Sequence, residues 1–407
     1  MSEQKLSLIE TLRVKEKRET KSDPTVSIVI PVCIPDNIQA CLNAIKLSNY
    51  PNIEVIITIN SPSKRTIKEI LSEIEKAVSN HPIKKRLRII KVNRALGFAA
   101  ACNLGFSHSK GRYVLFLNDD TIIADNLINE LVEACEANPN IACIQPKILS
   151  FRDKKSFDYS GAAGGFIDLY GTPFCAGRIF ETVEEDYGQY DDIEDICWAS
   201  GACILCRKSV LDETKAFQEE FFAHMEEIDL SLRILKKGYK IVLNPKTKVF
   251  QEEFFAHMEE IDLSLRILKK GYKIVLNPKT KVYHMGEKTT KKLNINSDFL
   301  KYRNNLMMIL INFRGTHLVK IILPRIFMDL LNFLVRVYKR EKILALNIPK
   351  AYFSILKGMR YILQRRRQFS NNGYQNYLRI IFPKSIAILY YLKGFKYFHQ
   401  LRRFFNA

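Results

Sequence analysis

The chain has 407 residues, of which 47% are hydrophobic and 26% are charged, and these proportions exclude a wholly disordered chain and a fibrous repeat protein. The net charge of +20 comes from the C-terminal part, because residues 287–407 contain 24 Lys and Arg against 4 Asp and Glu. We therefore predict a polar N-terminal arm over residues 1–25, a neutral main domain over 26–310 and a basic region over 311–407.

Residues 217–249 are repeated letter for letter as residues 250–282. Solenoid proteins have repeats of similar length, but they need about three copies and their copies drift in sequence. Two identical copies therefore indicate a very recent tandem duplication, or an assembly error, rather than a repeat architecture.

The N-terminus and the cysteines bear on the compartment. Residues 1–25 are polar and have no apolar core of the kind that a secretory signal needs. All nine cysteines lie between Cys33 and Cys206 at irregular spacing, which is typical of a reduced, cytoplasmic protein. Cys203 and Cys206 form a CxxC within a predicted strand, where their side chains point to opposite faces, so we expect no shared metal or disulfide.

Strands and helices alternate in the first part of the chain. Apolar, β-branched runs predict buried strands, and apolar residues at helical spacing predict helices. The predicted strands are Val26–Val32, Ile53–Ile59, Leu87–Val92 and Tyr113–Leu117, and the predicted helices are Ile38–Ile45, Thr66–Val78 and Phe98–Ser107. This alternation predicts an α/β fold with a doubly wound sheet, in which ligands bind beyond the carboxyl ends of the strands.

Several segments, in their order and spacing, resemble the family 2 glycosyltransferases, which have a GT-A fold. The resemblance covers about residues 25–310 and implies a Rossmann-like mixed sheet flanked by helices, followed here by a mainly α-helical basic extension. The stretch from Ser160 to Phe180 is similar to a bacterial, rhamnosyltransferase-like branch linked to cell-surface polysaccharide assembly. The segments that carry the resemblance are VSIVIPV at 26–32, LGFAAACN at 96–103, GRYVLFLNDDT at 111–121, WASGA at 198–202, the EEID cluster, VYHMG at 282–286 and YRNN at 302–305.

The resemblance implies a donor site at the strand ends. A sugar-nucleotide donor releases a diphosphate, and a hard divalent cation that bridges phosphates prefers carboxylate oxygens. Asp120 and Asp119 would hold Mg²⁺ or Mn²⁺, with His284 as a further ligand; a solvated turn or helix cap is the alternative for the two Asp residues. The donor-binding residues implied are Pro31, Asn60, Gly97, Asn103 and Asp119.

An acidic cluster opens a helix in each copy of the repeat, where the helix dipole favours ionised carboxylates. Such a carboxylate can act as a general base, although a simple capping charge is the alternative. We expect the second copy to form the site, because extrusion of the first leaves the break in a loop after Ala216, and loops tolerate insertions. The resemblance assigns the base to Glu260, with Glu259 and Asp262 beside it; the first-copy equivalents are Glu227, Glu226 and Asp229.

The acceptor side is implied by the resemblance to include Trp198, Ser200 and Gly201, although Trp198 is also a candidate core residue. The predicted reaction is an inverting, cation-dependent transfer of a sugar to a glycan or polyprenyl-linked glycan acceptor. Two alternatives stay open, namely a relative that is catalytically impaired by the duplication and a basic nucleic-acid-binding protein.

The basic region contains an amphipathic helix from Ile321 to Tyr338 that is too interrupted by charge to span a bilayer. Such a helix suits the anionic inner face of the cytoplasmic membrane, so we expect peripheral association there. Packing against the main domain and binding of nucleic acid are the alternatives, and no nucleic-acid-binding motif is present. One helical face carries Leu323, Phe327, Leu330, Leu334 and Val337, and the other carries Arg325, Asp329 and Arg336.

Overall fold

The computed structural model describes residues 9–13, 26–151, 153–158, 161–192, 195–221, 226–236, 239–251, 276–284, 297–368 and 381–405. Its centre is a mixed sheet of ten strands, in the order β1-β4-β3-β2-β5-β12-β7, then β13 and β14, then β6. These strands are β1 (Ile9–Arg13), β2 (Val26–Val32), β3 (Ile53–Asn60), β4 (Leu87–Val92), β5 (Tyr113–Leu117), β6 (Thr121–Ile123), β7 (Ile141–Ser150), β12 (Cys203–Arg207), β13 (Lys240–Gln251) and β14 (Leu276–His284).

The centre of the first half of the sheet is parallel, and β1 lies antiparallel to β4 at its edge. Strands β4, β3, β2 and β5 run in the same direction, and β12 lies antiparallel between β5 and β7. A second, antiparallel sheet consists of β8 (Gly165–Ile167), β9 (Pro173–Cys175), β10 (Arg178–Ile179) and β11 (Thr182–Val183). The buried runs of β-branched residues form strands here because both faces of the sheet are covered.

Helices cover both faces of the large sheet and divide the core into two clusters. One cluster holds the apolar sides of α1, α2 and α4, and the other holds those of α3, α5, α6 and α7. This arrangement confirms the predicted α/β fold. The helices are α1 (Ile38–Lys46), α2 (Lys64–Val78), α3 (Phe98–Ser107), α4 (Leu127–Ala137), α5 (Lys208–Thr214), α6 (Glu226–Lys236), α7 (Ser297–Asn312), α8 (Gly315–Tyr338), α9 (Lys342–Lys357) and α10 (Met359–Gln368).

The cysteines are spread over both core clusters. All nine are free. Cys203 and Cys206 lie on opposite faces of the sheet, because each belongs to a different core cluster. The Sγ of Cys206 is instead 2.7 Å from the Sγ of Cys143 on the neighbouring strand.

Strands β13 and β14, one from each side of the repeat junction, pair with the same residues. Leu243 and Leu276 are equivalent residues of the two copies, and both face Gln145 of β7. Val249 and Val282 are also equivalent, and both face Ile123 of β6. The sheet therefore offers one strand position to two strands.

The C-terminal part is helical, as expected, and its last described segment packs into the core of the main domain. Helices α7, α8 and α9 contact one another, and the segment 381–405 adds aromatic rings to the core. Phe398 packs on Phe166, with ring centroids 4.9 Å apart. The buried carboxylate of Asp168 accepts a hydrogen bond of 2.9 Å from the backbone N–H of Ile386. Within the described residues, no helix combines the length and apolar character that crossing a membrane requires.

Candidate active site

The carboxylate pair Asp119–Asp120 lies in a tight turn between β5 and β6. The backbone N–H of Asn118 donates to Ala202 O over 3.1 Å, and the Thr121 hydroxyl donates to Asn118 O over 2.5 Å. The turn is therefore held at the carboxyl end of a central parallel strand, where ligands bind in such sheets.

Asp119 is almost fully buried, and burial is the main reason that its pKa rises to about 7; the nearby charge of Asp36 also raises it. Its Oδ2, like Oδ1 of Asn118, is buried and has no hydrogen-bond partner among the residues that the structure describes. A buried polar atom without a partner is costly, and carboxylate and amide oxygens are ligands that a hard cation prefers. No cluster of three or more His, Cys, Asp or Glu suited to a metal occurs in the described ranges.

The loop before α3 is fixed by Asn60, at the end of β3. The side-chain Oδ1 of Asn60 accepts from the backbone N–H of Leu96 over 2.6 Å, and its Nδ2 donates to Gly97 O over 3.3 Å. Gly97 has φ +82°, a conformation that favours glycine, and it begins α3. Asn60 thus positions the Gly97 loop, a role that its place at a strand end did not predict.

The first copy of the repeat brings its acidic cluster into the protein interior. Glu226, Glu227 and Asp229, in the first turn of α6, are all buried. Glu227 lies against Gly201, where an added Cβ would be 2.5 Å from Glu227 Oε1. Only glycine leaves room for the carboxylate in this position, so the Ser200–Gly201 pair is adjacent to the acidic cluster.

Two thiols, Cys33 and Cys102, respond to the charges of the acidic groups. Burial raises the pKa of Cys102 well above its usual value, and the charges of Glu226 and Glu227 raise it further. Burial also raises the pKa of Cys33 to about 12, with a further contribution from the charge of Asp119. The charge of Cys33 also raises the pKa of Cys102, so the strand-end carboxylate and the helix carboxylates act on two thiols that influence each other.

Side chains from outside the repeat hold the first copy in place. Asn103 of α3 donates to Phe217 O over 2.8 Å and accepts from Phe217 N–H over 2.9 Å. From α7, Asn304 donates to Phe221 O over 3.2 Å. Asn103, predicted to bind the donor, therefore anchors the segment that leads into α6.

Arg233 fixes α6 from the inside. Its side chain is 1% exposed, its Nε donates to Asp229 Oδ2 over 2.9 Å, and its two terminal nitrogens donate to the backbone carbonyls of Thr214 and Ala216. Burial lowers the pKa of Arg233 to about 10 despite the neighbouring Asp229. Sequence analysis missed Arg233, although its i,i+4 spacing from Asp229 was a visible signal.

The remaining predicted residues are placed as follows. Trp198 is a core residue that donates from Nε1 to Phe166 O over 3.0 Å, which leaves it little surface for an acceptor. Ser200 is buried, and its backbone N–H donates to Gln145 Oε1 over 2.6 Å. Pro31 lies in β2 opposite Thr58, beyond the part that pairs with β5.

His284 ends β14 and is paired with Thr121, the residue after Asp120. The backbone therefore brings His284 to the edge of the carboxylate turn. Gln251, at the end of β13, is paired with Thr121 in the same way. The second-copy residues Glu259, Glu260 and Asp262 lie outside the described residues, so the prediction that they form the site stays untested.

The structure therefore has an acidic turn at a strand end of a mixed α/β sheet and a second, buried acidic cluster at the start of α6. Residues 27–214 match the family described as "Glycosyl transferase family 2". Residues 27–214, a little under half of the chain, therefore match the family that the resemblance predicts.

Curated relatives have related names. The chain is 22% identical over 235 residues to the O-antigen biosynthesis protein RfbC of Myxococcus xanthus, a match that spans 57% of this chain and 17% of that protein. It is 24% identical over 228 residues to the N-acetylglucosaminyl-diphospho-decaprenol L-rhamnosyltransferase of Mycobacterium tuberculosis, over 50% of this chain and 72% of that enzyme.

Among solved structures, the chain is similar to S. aureus TarS 1–349 in complex with UDP-GlcNAc. That likeness covers 91% of this chain and 92% of the other, with 14% sequence identity and a TM-score of 0.47.

Proposed function

We propose that the protein is an inverting glycosyltransferase of cell-surface polysaccharide synthesis, which transfers a sugar from a nucleotide-sugar donor to a glycan or lipid-linked glycan. The observation that carries the proposal is the buried acidic turn Asp119–Asp120 at a strand end within the residues that match family 2, together with the buried Glu226–Glu227 cluster beside Gly201. The names of the relatives support the polysaccharide context.

The turn residues fit a divalent cation, Mg²⁺ or Mn²⁺. Asp119 and Asp120 would supply carboxylate oxygens, and Asn118 in the same turn has a buried side-chain oxygen without a partner among the described residues. Two carboxylates are typical of sites that donor phosphates complete. When bound, such a cation neutralises the charge of the departing diphosphate. Asn60 and Gly97 then serve to hold the loop that faces the donor.

Glu227 of the first copy is our candidate for the base. It is 1% exposed and lies beside Gly201, so its carboxylate is held in one place. In that position it would take the proton from the acceptor hydroxyl as the hydroxyl oxygen attacks the anomeric carbon and the diphosphate leaves. A single displacement of this kind inverts the anomeric configuration.

The outer face of α8 supports association with an anionic membrane surface. Leu323 and Phe327 are each 60% exposed, and the other apolar residues of this face are also exposed. The charged face points inward instead, where Arg325 pairs with Asp329 at 2.9 Å. An apolar face turned outward suits the acyl boundary of a bilayer. Exposed basic residues around it suit anionic headgroups, namely Lys320, Lys339, Arg340, Lys342, Lys350 and Lys357.

Donor turnover tests the enzyme proposal. The full chain is incubated with a panel of sugar nucleotides, and release of the nucleoside diphosphate is measured with and without Mn²⁺ or Mg²⁺. We expect cation-dependent release from at least one donor, and its reduction by at least about 100-fold in Asp120→Asn. No release from any donor under any cation condition would refute the proposal.

Vesicle binding tests the membrane proposal separately. We expect the full chain to sediment with phosphatidylglycerol vesicles, and the double variant Leu323→Glu/Phe327→Glu to lose about 100-fold or more in affinity, because each apolar side chain contributes about 1.5–3 kcal/mol when buried. Dimerisation through α8, or tighter binding to an oligonucleotide than to vesicles, would contradict it.

A further inference from the structure

The repeat leaves the sheet with one more strand than it can hold. Strand β7 is paired with β12 along one edge, and its other edge accepts one partner. Both β13 and β14 are paired with that second edge, at Ile148, Leu149 and Ser150. The same two strands also share the partners Thr121, Ile122 and Ile123 on β6.

The two candidates for this position are chemically the same over most of their length. Residues 240–249 of β13 are identical to residues 273–282 in the second copy. The two strands share the pairing of Leu243 or Leu276 with Gln145 and the pairing of Val249 or Val282 with Ile148. The differences are the following pair of residues, Phe250-Gln251 or Tyr283-His284, and the place where the extra 33 residues leave the fold. The entropy cost of closing a loop changes slowly with its length, so the position of the extra 33 residues favours neither strand strongly.

We propose that β13 and β14 exchange in this one strand position, so that either Gln251 or His284 is presented opposite Thr121, next to the carboxylate turn. Two states that differ little in free energy are both populated. The exchange is a property of the fold. Its consequence for a cation, namely that only one state offers an imidazole beside Asp120, rests on the proposed function.

Cysteine trapping tests the exchange without any activity. Two double variants place cysteines at equivalent pairs, Ile123→Cys with Val249→Cys and Ile123→Cys with Val282→Cys. Directly opposite residues of antiparallel strands are close enough for a disulfide. After mild oxidation, the linked peptides are identified by mass spectrometry. The single variant Ile123→Cys controls for the native thiols.

The positive control is the chain without residues 250–282, which has one strand for the position and carries Ile123→Cys with Val249→Cys. Deletion of 217–249 would give the same sequence, so this control favours neither copy. We expect both full-length double variants to cross-link, each to at least about a tenth of the control yield. Cross-linking of only one pair, or of neither while the control cross-links, would overturn the exchange.

Manganese binding, measured by electron paramagnetic resonance, tests the consequence. If the strands exchange, Gln251→His places an imidazole opposite Thr121 in both states. His284→Gln removes the imidazole, so that neither state has one at this position. We expect the apparent Kd of the full chain to lie between those of the two variants, because a partly populated competent state weakens binding in proportion to its fraction. Equal Kd values in all three proteins, together with both cross-links, would leave the exchange standing and remove His284 from the cation site.

Discussion

Arg233→Leu gives the sharpest test of which copy is packed into the fold. The substitution removes one partner of a buried ion pair and leaves the Asp229 carboxylate and the carbonyls of Thr214 and Ala216 without their donor. Breaking a buried pair from one side costs about 3–5 kcal/mol of unfolding free energy. We expect a loss of that size.

The repeat provides a matched control for this experiment. Arg266 is the equivalent residue of the second copy and has identical neighbours in sequence. Urea unfolding, followed by the fluorescence of the single tryptophan, Trp198, reports the loss because that side chain is in the core. Arg266→Leu should change stability by less than about 0.5 kcal/mol. An equal loss in both variants, or a larger loss for Arg266→Leu, would refute the conclusion that the first copy supplies the helix packed in the core.

Two further predictions concern a close contact and a buried acid. Gly201→Ala should lower the transfer rate by about 100-fold without unfolding the protein, because the new Cβ displaces the Glu227 carboxylate. The control is Gly358→Ala, where an added Cβ meets only ordinary contacts. Equal transfer rates in the two variants would contradict a role for the Glu227 position. Burial raises the pKa of Asp168 to about 6, above its unfolded value of about 3.9. Between these values the folded state binds more protons than the unfolded state, so stability should fall by about 2 kcal/mol as the pH rises from 4 to 6, relative to Asp168→Asn. A stability difference between the unaltered protein and Asp168→Asn that does not change with pH would contradict the raised pKa of Asp168.

Much of the sheet was predictable because its strands are continuous apolar, β-branched runs. Strands β2, β4 and β5 and helix α3 have the predicted bounds. Strand-end position also located the Asp119–Asp120 turn, since the carboxyl ends of parallel strands meet at one edge.

The choice between the copies was not predictable, because identical sequences have identical local preferences. It depends on residues outside the repeat, such as Asn103 and the carbonyl of Thr214, which bond to first-copy residues. Periodicity likewise separated the two faces of α8, but the direction in which each face points depends on α7 and α9. Asn60 illustrates the same limit, since a polar residue at a strand end serves a ligand or a loop, and here it bonds to the Gly97 loop.

The most direct test of the central claim compares Glu227→Gln with Glu260→Gln in the full chain. Both changes remove one carboxylate from the same local sequence, and the initial rate of cation-dependent sugar transfer is measured for each. The account predicts that Glu227→Gln loses at least about 100-fold in rate, as expected for a general base, and that Glu260→Gln retains the rate of the unaltered chain. Loss of transfer in Glu260→Gln with full transfer in Glu227→Gln would contradict the account.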